Sequence, residues 1–250
     1  MTRTRLRWWR EVAYVVVFYG IYTLIRNKGI AGDAVDQAFR HAKQVVSAER
    51  TLGSFHEETI QDWFLGQRWF ISFWNIFYGT AHFAVTIFAL VWLFRRDPGR
   101  YPLWRTTLMC ATALALFGYA FYPLMPPRLL PASYGFVDTL KEIGGLWSFD
   151  SGTMQKISNQ YAAMPSLHFC WSMWCALVLY PMASKRWLKV LVALYPVMTL
   201  FAIVVTANHY WLDAAGGAFV LGCGYLIARA VTGWLARRGL ADEPLQLGHQ

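Results

Sequence analysis

An all-α, polytopic membrane protein is the fold this chain predicts, a six-transmembrane-helix bundle with interfacial helices in its first outer segment. Three observations predict it. Apolar residues make up 56% of the 250 positions and charged ones only 15%, against roughly 25% charged in ordinary soluble domains. Apolar runs long enough to cross about 30 Å of hydrocarbon recur along the chain. The 13 tryptophans and 13 tyrosines suit a protein that lies along two headgroup boundaries, where amphipathic rings collect.

Six runs qualify as spans, at about 8–26, 69–94, 106–125, 165–183, 190–207 and 214–234. The first follows Arg3, Arg5, Arg7 and Arg10 like a signal peptide. It ends in Leu24-Ile25-Arg26-Asn27-Lys28 with no small-residue cleavage site, so an uncleaved helix is expected. The 27–68 segment is too polar to span. Val35, Phe39, Ala42, Val45 and Val46 recur there at helical spacing among Asp36, Arg40, His41 and Lys43, and Phe55 to Phe64 alternates acids with Ile60, Trp63 and Phe64. Both stretches read as helices lying in the interface plane, either as a cap over the bundle or as a gate for a lipid substrate. Residues 134–160, richer in Gly, Ser and Asp, predict an outer loop with a short helix.

The domain reading is a single membrane domain over 1–250: the first span and interfacial helices in 1–68, a helix bundle in 69–234, and a cytoplasmic tail in 235–250. Cys110, Cys170, Cys175 and Cys223 lie inside apolar runs, form no CxxC pair, and read as small core residues.

Lys and Arg orient the bundle. The amino-terminal arginines, Arg95, Arg96, Arg100 and Arg105, Lys185, Arg186 and Lys189, and Arg229, Arg237 and Arg238 all fall on one side if both termini are cytoplasmic. The net charge of +9 is thereby spread over short clusters beside the spans. That pattern suits anionic headgroups, not nucleic acid. Segments 27–68, 126–164 and 208–213 then face outward.

Two polar clusters interrupt the greasy background on that outward side, Met164-Pro165-Ser166-Leu167-His168 and Asn208-His209-Tyr210-Trp211-Leu212-Asp213. Imidazoles and a carboxylate at a bilayer boundary are costly unless they have work to do. His209 and Asp213 are four apart, so one helical turn brings them together. The carboxylate would then take one ring N–H and leave the other nitrogen free to attack. The same spacing is also met in structural pairs and half metal sites. Pro165 suits the first turn of a helix, whose free amides around Ser166 and Leu167 would bind an anion. The Ser166 hydroxyl adds a donor and His168 can move a proton. Arg128, in Met125-Pro126-Pro127-Arg128-Leu129-Leu130-Pro131, can grip a phosphate with two parallel bonds, or snorkel to the boundary. Asn75, Tyr78 and His82 inside the second span read as a polar helix contact or as part of a substrate site.

Pro126-Pro127-Arg128, Met164-Pro165-Ser166-Leu167-His168 and Asn208-His209-Tyr210 followed by Asp213 and Gly217 resemble the three-part signature of the type 2 phosphatidic acid phosphatase superfamily. The chain is most similar to the branch that holds inositol phosphorylceramide synthases and their bacterial relatives. The resemblance covers about 115–217. It implies His209 as nucleophile, Asp213 as its orienting partner, His168 as general acid, Arg128 and Ser166 as phosphate-binding residues, and neither metal nor cofactor. It further implies a phosphohistidine enzyme of a bacterial plasma membrane with its active site outward, acting on a lipid phosphate by hydrolysis or by transfer to an alcohol such as inositol. The family carries a lysine where this chain has Phe121, an arginine where it has Ile203, and a glycine where it has Leu167. The competing readings are a transporter with a histidine proton relay, a metal-dependent CDP-alcohol phosphotransferase and a haem-binding bundle. The second wants several aspartates along two helices, whereas the only acidic residue that spans two to six offer is Asp213, at the threshold of the sixth.

Overall fold

A computed structural model of the chain describes residues 33–144 and 160–238, together with Trp9, Ala13 and Gly20. The expected first span, much of the outer loop and the end of the tail lie outside the described residues. Among the described residues, seven helices of nine residues or more carry the architecture: α1 (Asp33–Thr51), α2 (Glu57–Leu65), α3 (Arg68–Arg96), α4 (Tyr101–Phe121), α5 (Leu167–Leu179), α6 (Arg186–Val205) and α7 (Trp211–Arg237). No strand occurs among the described residues, only an isolated bridge between Leu124 and Ala162.

Three of these helices, α3, α6 and α7, are long and apolar enough to cross a membrane. Leu167–Met182 is apolar but shorter, and α4, which carries Arg105 and three threonines, is not among the three. The outer faces are what a membrane protein needs. Phe83, Ile87, Phe88 and Val91 of α3, Val190, Leu191, Leu194 and Val197 of α6, and Phe219, Leu226 and Val231 of α7 are all exposed. An apolar belt of that extent belongs in hydrocarbon, so this is an integral membrane protein.

Helix ends depart from the apolar runs where backbone chemistry intervenes. α4 stops at Phe121 and not near residue 125, because Tyr122 precedes Pro123 and leaves helical geometry at φ −133° and ψ 67°. α5 starts at Leu167, two residues past Pro165, and Ser166 is its N-cap. α7 starts at Trp211, three residues earlier than its apolar run.

Bundle packing relies on close backbone approach, as membrane helices do in the absence of a hydrophobic drive between them. A Cβ on Gly224 of α7 would stand 2.7 Å from the Ala111 amide nitrogen of α4. One on Gly217 would run into the Ser166 carbonyl at the start of α5. Indole N–H groups tie the interior: Trp171 donates to Thr112 Oγ1 at 3.0 Å and Trp174 to the Trp104 carbonyl at 2.9 Å. The cysteines are free, with Cys170 and Cys175 buried in the core. Gly217→Ala is expected to destabilise the fold by about 1–3 kcal/mol through overpacking. Gly222→Ala, facing open space, should leave the melting temperature in detergent unchanged.

At one end of the bundle, four sequence-distant segments meet. Ala38, Ala42, Val45 and Val46 of α1 pack against Leu124, Met125, Leu130, Phe136, Ala163, Ala207 and Tyr210. Polar ties fasten this cap. The His41 ring N–H donates to the Pro123 carbonyl at 2.7 Å, and Gln61 of α2 exchanges two bonds with the Val137 backbone at 3.0 and 2.9 Å. Asn75 of α3 donates to the Thr139 and Gly144 carbonyls at 3.0 and 2.9 Å. The helical reading of 35–46 and 55–64 thus corresponds to α1 and α2, which lie over this end.

Candidate active site

His209 stands in the turn between α6 and α7, outside either helix. The turn is tight: the Asn208 and His209 amides both donate to the Ile203 carbonyl, at 2.9 and 3.1 Å. Ala207 sits in the left-handed region at φ 52°, a conformation that L side chains rarely adopt and that concentrates at functional sites. The expected one-turn geometry is therefore replaced by a capping arrangement. Asp213, in the first turn of α7, reaches back so that Oδ2 accepts the Tyr210 N–H at 2.9 Å and the His209 Nδ1–H at 3.2 Å.

That ring nitrogen also lies 2.9 Å from the Ala163 carbonyl oxygen. Two oxygens, neither able to donate, face Nδ1, so the proton resides there. Nε2 is the bare nitrogen, buried and without a partner. His209 as a whole is only 3% exposed. Its partner Asp213 is wholly buried.

His168, in the first turn of α5, lies with its ring centroid 5.6 Å from that of His209. Two α3 side chains fix its plane: Tyr78 stacks on it at 4.1 Å, and His82 packs at the same distance from another side. The His82 Nδ1–H is committed to the Tyr78 carbonyl at 3.0 Å. A narrow crevice lined by Phe77, Tyr78, His82, His168, Thr199, Ala202 and Ile203 runs between α3, α5 and α6.

Arg128 reaches the same place from the loop after α4. Its backbone N–H donates to the Ala207 carbonyl at 2.8 Å. Its Nε donates to Asn208 Oδ1 at 3.0 Å and its Nη1 to Asp138 Oδ2 at 2.8 Å. Asp138 thus supplies a counter-charge within the outer loop that Asn75 anchors. Ser166 is wholly buried. Its Oγ accepts the Phe169 N–H at 3.4 Å as the α5 cap, which leaves its hydroxyl proton to donate. Its amide is taken by the Asp213 carbonyl at 2.8 Å, so of the helix-end amides expected to be free, only those beyond Ser166 lack a place in a backbone ladder.

His168, His209, Asp213, Arg128 and Ser166 therefore gather at one end of the bundle. Phe121 is 77% exposed on the outer surface and Ile203 is buried in the crevice wall. Sequence reading missed Ala163, Asn208 and Asp138 as partners, because backbone carbonyls and single polar residues carry no spacing signal. It also passed over Glu49, although that residue continues the buried α1 stripe of Ala38, Ala42, Val45 and Val46. Among the described residues, no group of three or more His, Cys, Asp or Glu is placed to hold a metal ion.

A family model described as the PAP2 superfamily matches residues 43–227. The match extends beyond the three motifs to include the last nine residues of α1 and all of α2 and α3. No curated protein and no solved structure matches the chain.

Proposed function

This chain belongs to the PAP2 superfamily, and from that premise we propose that it is a lipid-phosphate phosphatase or phosphotransferase working through a phosphohistidine on His209. The observation that carries the reading is the His209 ring itself, with Nδ1 held by Ala163 and Asp213 and Nε2 bare beside His168. Nε2 attacks phosphorus in line as the bond to the leaving oxygen breaks, and His168 gives that oxygen its proton. The positive charge that develops on the phosphorylated ring is balanced by Asp213. Arg128 and the Ser166 hydroxyl hold the equatorial oxygens, where charge accumulates. In the second step His168 takes a proton from water or an alcohol, whose oxygen bonds to phosphorus as the P–N bond breaks.

The proposed setting is a plasma membrane, with six spans, both termini cytoplasmic and the site at the outer leaflet. The arginine and lysine clusters support that orientation. The substrate is an acidic lipid headgroup, and similarity to the inositol phosphorylceramide synthase branch supports transfer to an alcohol acceptor such as inositol alongside hydrolysis. The chemistry runs on side chains and amides alone. Accordingly, purified protein given phosphatidic acid, a polyprenyl diphosphate or a phosphoinositol lipid is expected to release phosphate or yield a transferred headgroup. Turnover should persist in excess chelator. Inertness toward every lipid phosphate, with substrate-dependent flux in liposomes, would favour the transporter reading.

Arg128→Lys keeps the charge but loses the planar fork. Hydrogen bonds to charged groups are worth about 1.5–3 kcal/mol, so kcat/KM should drop about 10–100-fold on the best lipid found. Unchanged kinetics would remove Arg128 from phosphate binding.

A further inference from the structure

The α1–α2 unit is wired into the site. Glu49 of α1 and Glu57 at the start of α2 are both wholly buried. Each aims one carboxyl oxygen at the beginning of α7: Glu49 Oε1 accepts the Leu212 N–H at 2.8 Å, and Glu57 Oε1 accepts the Trp211 N–H at 3.3 Å. Asp213 takes the Tyr210 N–H at 2.9 Å. Three carboxyl groups therefore serve three consecutive amides of one helix start, directly after His209.

The remaining oxygens, Oε2 of Glu49 and Oε2 of Glu57, are buried without another partner. The two carboxyls accept from the adjacent amides of Trp211 and Leu212, which sets them side by side at the start of α7. Two carboxylate oxygens cannot satisfy one another, since both only accept; a proton on one turns the clash into a bond. Neither carboxyl forms an ion pair among the described residues. Buried acids without a cation are held neutral or share a proton.

We propose that Glu49 and Glu57 are positioning residues, a proton-sharing carboxyl pair that holds the start of α7 and so aims His209, and that the site fails when the pair loses its proton. The inference rests on the reading of His209 as nucleophile. Burial first, then the hydrogen bond to Glu57 and its charge, push the Glu49 carboxyl up to about 9. The groups facing it are Glu57 from α2 and, from the start of α7, Asp213, which raises it further, and Tyr210; the Leu212 N–H pulls the other way. Because the folded value lies above the ordinary one of 4.5, the folded state binds the extra proton. The pair's contribution is whole below the ordinary value, shrinks as pH rises, and is gone above about 9.

Glu49→Gln is the informative variant. Its amide oxygen can accept the Leu212 N–H while its NH2 donates to Glu57 at any pH. Wild type should lose kcat on its alkaline side near the pair's deprotonation. Glu49→Gln should keep near-wild-type kcat at neutral pH, with that alkaline limb moved upward. Glu49→Ala, which strands an amide and the Glu57 oxygen, should lose about tenfold or more in kcat with little change in KM. An unmoved limb in Glu49→Gln, or full kcat in Glu49→Ala, overturns the proposal and leaves the phosphohistidine reading intact. Should wild type turn over no lipid phosphate, that reading fails on its own. The melting temperature then decides for the pair: a decline in wild type between about pH 4.5 and 9 that Glu49→Gln removes supports it, and parallel declines overturn it.

Discussion

Replacing His209 with glutamine is expected to end turnover, with a fall of about 10⁴-fold or more, the scale on which enzymes lose a nucleophile. Glutamine nearly fills the imidazole's volume. Its amide nitrogen has no available lone pair, so no bond to phosphorus can form. The surroundings should tolerate the change, because the ring's commitments are to the Ala163 carbonyl and the Asp213 carboxylate, both of which an NH2 group can satisfy. Stability in detergent should thus stay close to wild type, and the loss will be chemical. Labelled phosphate from a lipid substrate should be trapped on wild-type protein by acid-sensitive, base-stable linkage and be absent from His209→Gln. Normal turnover by that variant would falsify the nucleophile assignment.

His168→Asn carries the second large effect. General acid catalysis contributes about 10²–10⁴-fold, and the loss should depend on the leaving group. An alkoxide leaving from a lipid phosphate needs a proton, so kcat should fall across that range. A nitrophenol leaves without one, so the first step should survive with an aryl phosphate. The second step still needs His168 as base, and a burst of nitrophenol equal to the protein present should be followed by slow release of phosphate. Equal losses on both substrates, with no burst, would confine His168 to packing against Tyr78 and His82.

Much of this was legible in the residues because membrane physics leaves few choices. Apolar runs had to become helices, since hydrocarbon offers no partner for a bare amide. The helices of the second, fifth and sixth runs are long and apolar enough to span. Ends were less legible. Pro123 cut α4 short and the Tyr210–Asp213 cap lengthened α7, both local effects that hydropathy averages away. The His209–Asp213 spacing suggested a helical pair. The ring is instead held from the turn, because Asp213 caps the helix and the histidine together.

The sequence by itself determined the family and the candidates for its chemistry: which residue types are able to attack, donate protons or grip an anion, and that they fall at the ends of apolar runs. Only the tertiary structure decided which nitrogen of His209 is free. That choice depends on the Ala163 carbonyl, a backbone atom that any residue type would supply. It also decided that Asp138 shares Arg128, and that Glu49 and Glu57 brace the start of α7. Hydrogen-bond partners far apart in the chain are set by how helices pack, and packing depends on the shapes of all of them at once. Residue type shows what a group can do; its neighbours in space determine what it is free to do.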